Sequence, residues 1–339
     1  MNLQSVKEKY QITELPNLTD ADFEKISQNE KAHIVDDRKS VSYWADAWRR
    51  LKKNKVAMFA LCLIIVLVLF AVLGPYLSPY TYDQQVRGDE KMAPCLRHPF
   101  GTDQLGRDLL VRTMIGARIS LLIGIVSAVI VLVIGSIYGA ISGLAGGMVD
   151  NIMMRIVDVL YSIPTILLVI AIKMVIEDPL AALVNKSSSY SLLNKMGSSL
   201  IAIFIVYALL YWVGMARIVR GEVLKLKQME YINAAAALGA NKNRLIFKHL
   251  LPNCIGQLIV NTMLQVPSAI FTEAFLSFLG IGVSVPMASL GSLCSNAVNG
   301  VVSYPYRLLY PSLIISLIIL GFNLLGDGLR DAFDPRLKN

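Results

Sequence analysis

Cysteine, histidine and charged residues are all scarce in this chain. Its 339 residues include 4 cysteines and 3 histidines, and only 17% of the residues are charged. Neither residue type clusters at the short spacings that hold a metal ion. The positions are Cys62, Cys95, Cys254, Cys294, His33, His98 and His249. We therefore predict no metal site in this chain.

Sequence motifs that mark catalysis are missing as well. The chain lacks the GxxxxGK[ST] loop that cradles phosphates, so it does not bind a nucleotide in that way. It also lacks the HExxH pattern of zinc peptidases and the GxSxG turn of serine hydrolases. We assign no catalytic residue, and we expect no enzymatic activity and no cofactor in the chain itself.

Long apolar stretches dominate what is present. Hydrophobic residues make up 55% of the chain, and its mean hydropathy is +0.56. Six stretches approach or exceed the roughly 20 apolar residues that cross a bilayer. They are about Val56–Leu77, Ile119–Leu144, Ile156–Ile176, Leu200–Ile218, Ile255–Val285 and Leu308–Leu325. The sequence therefore predicts an all-α, polytopic membrane protein with six transmembrane helices.

The distribution of basic residues predicts the orientation. The net charge of +8 is better explained by Lys and Arg at membrane ends than by a nucleic-acid partner. Most of the 32 basic residues precede the first stretch, separate the fourth from the fifth, or follow the sixth. We expect a multi-pass protein of the cell membrane with both termini in the cytoplasm. Cys95 and Cys294 would then share the outer side, where a disulfide is open but two free thiols are favoured.

The same patterns divide the chain into segments. Residues 1–40 mix acidic and basic side chains and are predicted to form a cytoplasmic tail. Residues 41–55 place Trp44 and Trp48 on one helical face, which favours an amphipathic helix on the membrane surface over a plain basic flank. The transmembrane domain covers residues 56–330, and residues 331–339 form a second cytoplasmic tail.

A polar interruption, Arg217 to Pro252, separates the fourth apolar stretch from the fifth. It contains four alanines and a leucine followed by Gly239, where a helix-ending residue with positive φ belongs. A second helix can begin at a capping Asn241 and stop before Pro252. Small side chains allow another protein to approach a helix closely. We predict a cytoplasmic helix-turn-helix that binds a soluble partner.

Local signals within the spans suggest how they pack. The spacing Gly135-xxx-Gly139-xxx-Gly143 allows another helix to come to backbone distance. Pro164 predicts a kink in the third span. Before the second span, Thr102 or Asp103 can cap a helix that runs through Leu109.

The fifth span is unusually polar for a membrane helix. Asn261, Gln265 and Glu273 are candidates for lining a translocation pathway, because polar side chains at membrane depth are costly and often functional. For Glu273, a structural hydrogen bond or salt bridge between helices is an equally good interpretation.

The interruption also resembles a known signature. The run from Glu230 to Ala240, with Leu251-Pro252 after it, is similar to the "EAA" motif of permease subunits of binding-protein-dependent ABC importers, although Asn233 stands where that name implies Glu. Further runs resemble the second, or C-type, permease of dipeptide and oligopeptide importers, so that the likeness extends from about Val41 to Lys338. These runs are His98–Asp103, Gly106–Asp108, Arg155–Asp158, Ser162–Pro164, Glu273–Gly280 and Gly326–Asp331.

This resemblance implies a type I ABC importer permease fold and a heteromeric complex. The expected partners are a second permease, two ATP-binding subunits that hold ATP and Mg, an extracytoplasmic substrate-binding protein, membrane lipid and a peptide substrate. The resemblance also implies which residues contact the ATPase. They are Tyr231, Asn233, Ala234, Ala235, Ala236, Leu238, Gly239 and Ala240.

Other functions remain open at this point. An importer of nickel or another small solute would share the same architecture. A channel or carrier that works without an ATPase, or a membrane scaffold without a pathway, would need no docking element.

Overall fold

A computed structural model of the chain describes residues 42–186, 197–283 and 287–333. The predicted tail 1–40 lies outside the described residues, and the tail 331–339 is described only as far as Phe333. The chain divides after Ala45 into two units, and the elements discussed below lie in the second. The helices are α1 (Tyr43–Lys53), α2 (Lys55–Val72), α3 (Gly74–Leu77), α4 (Leu109–Ala145), α5 (Gly147–Ser162), α6 (Thr165–Lys186), α7 (Ser198–Leu210), α8 (Trp212–Leu226), α9 (Glu230–Ala237), α10 (Lys242–Arg244), a π-helix (Leu245–Leu250), α11 (Leu251–Asn253), α12 (Ile255–Phe278), α13 (Leu290–Val298) and α14 (Tyr306–Phe333).

The number of spans agrees with the sequence. In the described part of the chain, five segments are long and apolar enough to cross a membrane, namely α2, α4, α7 with α8, α12 and α14. Helices α5 and α6 meet at a bend of 89°. They form a sixth span if the bent pair is counted as one. The bend lies at Ile163 and Pro164, where the sequence predicted a kink. The all-α fold and the polytopic class are therefore confirmed.

Two predicted boundaries were wrong. Helix α4 begins at Leu109 with Asp108 as its cap, and the Asp108 carboxylate accepts a hydrogen bond of 2.9 Å from the Val111 amide. Asp103 stabilises the preceding loop instead, and its carboxylate accepts hydrogen bonds from the amides of Leu105 and Arg107. Thr102 also belongs to this loop, because its hydroxyl bonds the Asp89 carbonyl oxygen.

The last helix also runs further than its apolar pattern indicated. Helix α14 continues through Gly326 and Gly328 to Phe333. A Cβ atom at Gly328 would overlap that of Ala57 in α2, so the glycine lets the two helices touch. Glycine often marks the end of a helix, but Gly328 lies inside α14 and allows close packing against α2.

The glycine series of α4 packs directly on α8. Cβ atoms built on Gly135, Gly139 and Gly143 would meet Met215, the Ala216 carbonyl and Val223 respectively. The glycines leave room for α8 to approach α4 closely, and a side chain on α4 at any of the three positions would clash. The predicted close approach is confirmed, and its partner is α8.

The ends of the helices define two ends of the molecule. The Arg118 guanidinium, near the start of α4, donates to the carbonyl oxygens of Ala71 and Val72 at the end of α2. These two helices are therefore antiparallel. At the far end of α4, Lys227 donates a 2.7 Å hydrogen bond to the Leu144 carbonyl. The start of α2, the end of α14 and the polar interruption consequently lie toward the same end.

We predict that Gly139→Ala destabilises the protein. The added Cβ would lie 2.9 Å from the Val219 Cβ, and overpacking of this kind costs about 1–3 kcal/mol. The measurement is the midpoint of thermal unfolding in detergent, followed by size-exclusion chromatography.

Gly214→Ala is the matched control on α8, because nothing lies within 4 Å of a Cβ at that position. Both changes bring the same gain in helix propensity, about 1 kcal/mol. Equal midpoints for the two variants would contradict the role of Gly139 in helix packing.

Candidate functional site

Helix α9 packs on the rest of the molecule mainly through Ile232. This side chain is buried, with 3% of its surface exposed, and it joins a cluster with Val223, Leu245 and Leu250. Ala235 packs partly against the same cluster, whereas Ala234 and Ala236 are exposed. Most of the small-residue face of α9 is therefore uncovered by the part of the chain that the structure describes.

The turn after α9 has the geometry that the sequence predicted. Gly239 has a φ of +87°, and its amide donates to the Ala236 carbonyl at 2.9 Å. The Ala240 amide donates to the Ala235 carbonyl at 3.0 Å. This pair of hydrogen bonds is the Schellman arrangement, which ends a helix at a residue in the left-handed region. The turn therefore fixes the direction in which the chain leaves α9.

The segment after the turn differs from its prediction in one respect. Asn241 caps α10 as expected and accepts a 2.8 Å hydrogen bond from the Arg244 amide. The helical structure does not end before Pro252, however. It widens into a π-helix whose last bond joins the Leu251 amide to the Ile246 carbonyl, and Pro252 then lies in the first turn of α11. Proline fits there because the first turn of a helix needs no amide donor from it.

Large apolar side chains surround the exposed face of α9. The exposed fractions are 89% for Leu238, 58% for Phe247, 50% for Met229 and 43% for Tyr231. Several large exposed apolar side chains on a polar segment are typical of a protein–protein contact. Six of the eight residues implied to contact a partner are exposed, and Ala235 and Ala240 are partly buried.

Ion pairs connect this segment to the spans. The Arg220 guanidinium on α8 donates two hydrogen bonds to the Asp150 carboxylate on α5, at 2.7 and 2.6 Å. Asp150 also accepts a hydrogen bond from Ser142 on α4. Asp150 is buried, with 7% of its surface exposed. Helices α4, α5 and α8 are therefore joined at the end next to α9.

The three pathway candidates on α12 fall on two different faces. Asn261 and Gln265 are half-buried and continue into an exposed stripe at helical spacing, formed by Ser268, Phe271, Phe275 and Phe278. Glu273 lies on another face and is fully buried. Asn261 and Gln265 therefore stay pathway candidates on a face that the described residues leave uncovered.

Glu273 has the environment of a structural residue. Its Oε1 accepts hydrogen bonds from Ser277 at 2.7 Å and from Ser289 at 2.6 Å. Ser289 is also the cap of α13, so the carboxylate links α12 to that helix. Its Oε2 has no hydrogen-bond partner. This geometry favours the structural interpretation that the sequence left open.

Sequence reasoning missed a buried lysine on α6. Lys173 is 1% exposed, and its ammonium donates to Glu177 at 2.7 Å, Ser199 at 3.1 Å and the Gly282 carbonyl at 3.2 Å. The signal was present, because a charged residue within an apolar run marks a site by default. Lys173 joins α6 to α7 and to the chain after α12.

Comparison with known proteins identifies the family. Residues 135–339 match the family described as "Binding-protein-dependent transport system inner membrane component". The chain belongs to this family. Residues 42–94 match a second family, described as "N-terminal TM domain of oligopeptide transport permease C".

Individual relatives agree over most of the chain. The oligopeptide transport system permease protein OppC of Bacillus subtilis is 43% identical over 301 residues, which cover 89% of this chain and 92% of that protein. The dipeptide transport system permease protein DppC of the same organism is 43% identical, with 89% and 88% covered. The glutathione transport system permease protein GsiD of Pectobacterium atrosepticum is 36% identical, with 90% and 95% covered. The resemblance inferred from the motifs is thereby confirmed, and the chain is a transport permease.

The free thiols in the structure bear on the predicted outer side. Cys95 is exposed and Cys294 is half-buried, and neither forms a disulfide. Whether Cys95 and Cys294 pair in the membrane stays a prediction.

We predict that Glu273→Leu destabilises the permease. The change leaves the hydroxyls of Ser277 and Ser289 buried without their acceptor, which costs about 1–3 kcal/mol for each unsatisfied group. The midpoint of thermal unfolding of the purified protein measures the loss.

Glu273→Gln is the control, because its carbonyl oxygen can accept both hydrogen bonds. We expect a smaller loss for this variant. If Gln and Leu lower the midpoint equally, the negative charge and not the hydrogen bonds is what the site requires.

Proposed function

We propose that this chain is the C-type permease of an ABC importer for peptides. It pairs with a second permease, and the translocation pathway runs between the two. Two ATP-binding subunits bind from the cytoplasm, hold ATP and Mg and carry out hydrolysis. An extracytoplasmic binding protein delivers the peptide, and this chain needs no cofactor of its own.

The single observation that carries the proposal is the uncovered face of α9. Its alanines and the 89% exposed Leu238 form a surface that no other part of the described chain covers. A channel or a scaffold that works alone has no use for such a surface. The family is named for its binding-protein-dependent transport, which supports an ATP-driven complex.

The proposed substrate is supported by the relatives. The three relatives compared above are named for oligopeptides, dipeptides and glutathione, which are all short peptides. None of these names supports the nickel alternative.

The proposed orientation places α9 in the cytoplasm. The start of α2, the end of α14 and the polar interruption lie toward one end, and the basic residues concentrate there. By the positive-inside rule this end faces the cytoplasm, so both termini are proposed to be cytoplasmic.

The mechanism follows from how α9 is attached. Driving a two-state pathway from mostly closed to mostly open takes about 5.5 kcal/mol of differential binding. A shift of α9 reaches α8 through Ile232 and its cluster, and it reaches α4 and α5 through the Lys227 and Arg220 contacts. A rigid attachment of this kind transmits the motion of an ATPase to the spans.

We predict that Gly239→Arg uncouples transport from ATP hydrolysis. A side chain at a φ of +87° strains the turn by about 1–2 kcal/mol, and arginine also obstructs the approach of a partner. Peptide uptake and ATPase stimulation in proteoliposomes of the full complex are the measurements.

Asn243→Arg is the control for charge, because Asn243 is exposed and helical and lies four residues further on. We expect near-normal coupling for this variant. Normal coupling in Gly239→Arg would overturn the proposed role of the turn.

A cysteine at Ala236 is predicted to crosslink to an ATP-binding subunit, because Ala236 is exposed on the uncovered face. A cysteine at Asp331, which is exposed near the end of α14, serves as the control for proximity at the same end. Accessibility of Ala236→Cys from outside the cell, or no crosslink to an ATPase, would refute the docking.

A further inference from the structure

A cavity of about 540 Å³ opens at the end of the molecule opposite α9. The loop before α4 and the first turn of α4 form one wall, and α13 forms another. Helix α4 has 37 residues, so its rise of 1.5 Å per residue places this turn about 50 Å from the contact between Leu144 and Lys227. The cavity therefore lies beyond the membrane from the coupling segment.

The charges around the cavity do not balance. Three arginines line it, Arg107, Arg112 and Arg307, and among the described residues the one lining carboxylate is that of Asp103. Asp103 Oδ2 lies 2.7 Å from the Nε of Arg107 and 3.6 Å from the Nε of Arg112. One negative charge thus faces three positive charges, which leaves a local excess of two.

Two of these guanidinium groups are buried and incompletely paired. Arg112 is 5% exposed, and one of its terminal nitrogens donates to the Tyr82 carbonyl at 3.2 Å, but its Nε has no hydrogen-bond partner. Arg307 is also 5% exposed, and no described carboxylate lies within 4.0 Å of it. Its guanidinium lies 5.8 Å from the centre of the Tyr304 ring. Burying a charge without an ionic partner is costly, so the site favours an anion from outside.

The shape and lining indicate which anion fits. Guanidinium groups bind carboxylates through two parallel hydrogen bonds, which a buried and rigid arginine can form with little loss of entropy. Neutral hydrogen-bonding side chains, Ser295, Asn296 and Asn299, line the cavity together with the apolar Leu293. A volume of about 540 Å³ lies in the range of small-ligand pockets.

We propose that this cavity binds the C-terminal carboxylate of a peptide before the peptide enters the pathway. Arg307 and Arg112 bind the carboxylate, and the amide side chains bind the peptide backbone. This inference rests on the proposed function as a peptide importer. It adds a site on the permease itself that distinguishes a free C-terminus from a blocked one.

Arg307→Gln tests the proposal, because this arginine has no ion pair to break. The full complex in nanodiscs, without binding protein, is dialysed against radiolabelled trialanine or its C-terminal amide. We expect the variant to weaken binding of trialanine about tenfold or more, as the loss of a charged hydrogen bond does. The amide should bind weakly to wild type and variant alike.

Two further variants make the result specific. Arg307→Lys keeps the charge and loses the paired hydrogen bonds, so its affinity should fall between the other two. Arg87→Gln removes the same charge from an exposed position outside the cavity and should change nothing. Size-exclusion chromatography and the subunit composition of each purified complex show that it is intact.

Three outcomes would overturn the inference. Equal affinity of the wild-type complex for trialanine and its amide would do so without any variant. Unchanged peptide binding in Arg307→Gln, with weaker docking of the binding protein, would show that the carboxylate comes from that protein. Equal losses in Arg87→Gln would indicate a general effect of charge. Wild-type proteoliposomes that take up no peptide at all would instead refute the proposed function.

Discussion

The contact between α4 and α8 constrains everything else in this fold. A Cβ atom added at Gly139 or at either of its neighbours in the series would lie within 3.0 Å of α8 atoms. Contact this close fixes the rotation and the translation of one helix against the other, because any side chain would force them apart. Helix α8 leads directly toward α9, so the position of the coupling surface follows from the glycines of α4.

Helix α9 is mostly exposed, whereas the ends of the spans beside it are held together by polar contacts. Helix α9 packs mainly through Ile232, and most of its remaining surface is exposed in the described structure. The spans next to it are joined by polar contacts, among them the pair between Arg220 and Asp150. The exposed surface of α9 thus lies next to helices that polar contacts hold together.

The sequence predicted the features that depend on local chemistry. The turn at Gly239 needs only a residue that tolerates positive φ, and the cap at Asn241 needs only a side-chain acceptor. The number of spans follows from apolar length alone. The EAA-like run then identified the family, because its alanines and glycine stand at fixed distances from Leu251-Pro252.

Features that depend on tertiary contacts were beyond the sequence. Asp103 and Asp108 are both good caps, and only the folded loop decides that Asp108 begins α4. Glu273 is equally deep on either interpretation, and its role depends on Ser289 being brought next to it. The role of Gly328 in packing is visible only in the folded protein, where Ala57 lies against it.

The two ends of α4 differ in whether the nearby arginines have carboxylate partners, and the difference suits the proposed role of each end. Beside α9, Arg220 and Arg217 each have a carboxylate within 2.8 Å. Both positive charges are therefore paired inside the chain, which holds the helices together rigidly. At the other end the guanidinium groups outnumber the carboxylates, and no carboxylate among the described residues lies within 4.0 Å of Arg307. A contact that transmits force between helices needs ion pairs that are complete without a ligand. A site that binds an anion needs positive charges that the chain itself leaves unpaired. The same helix therefore connects a closed electrostatic network to an open one.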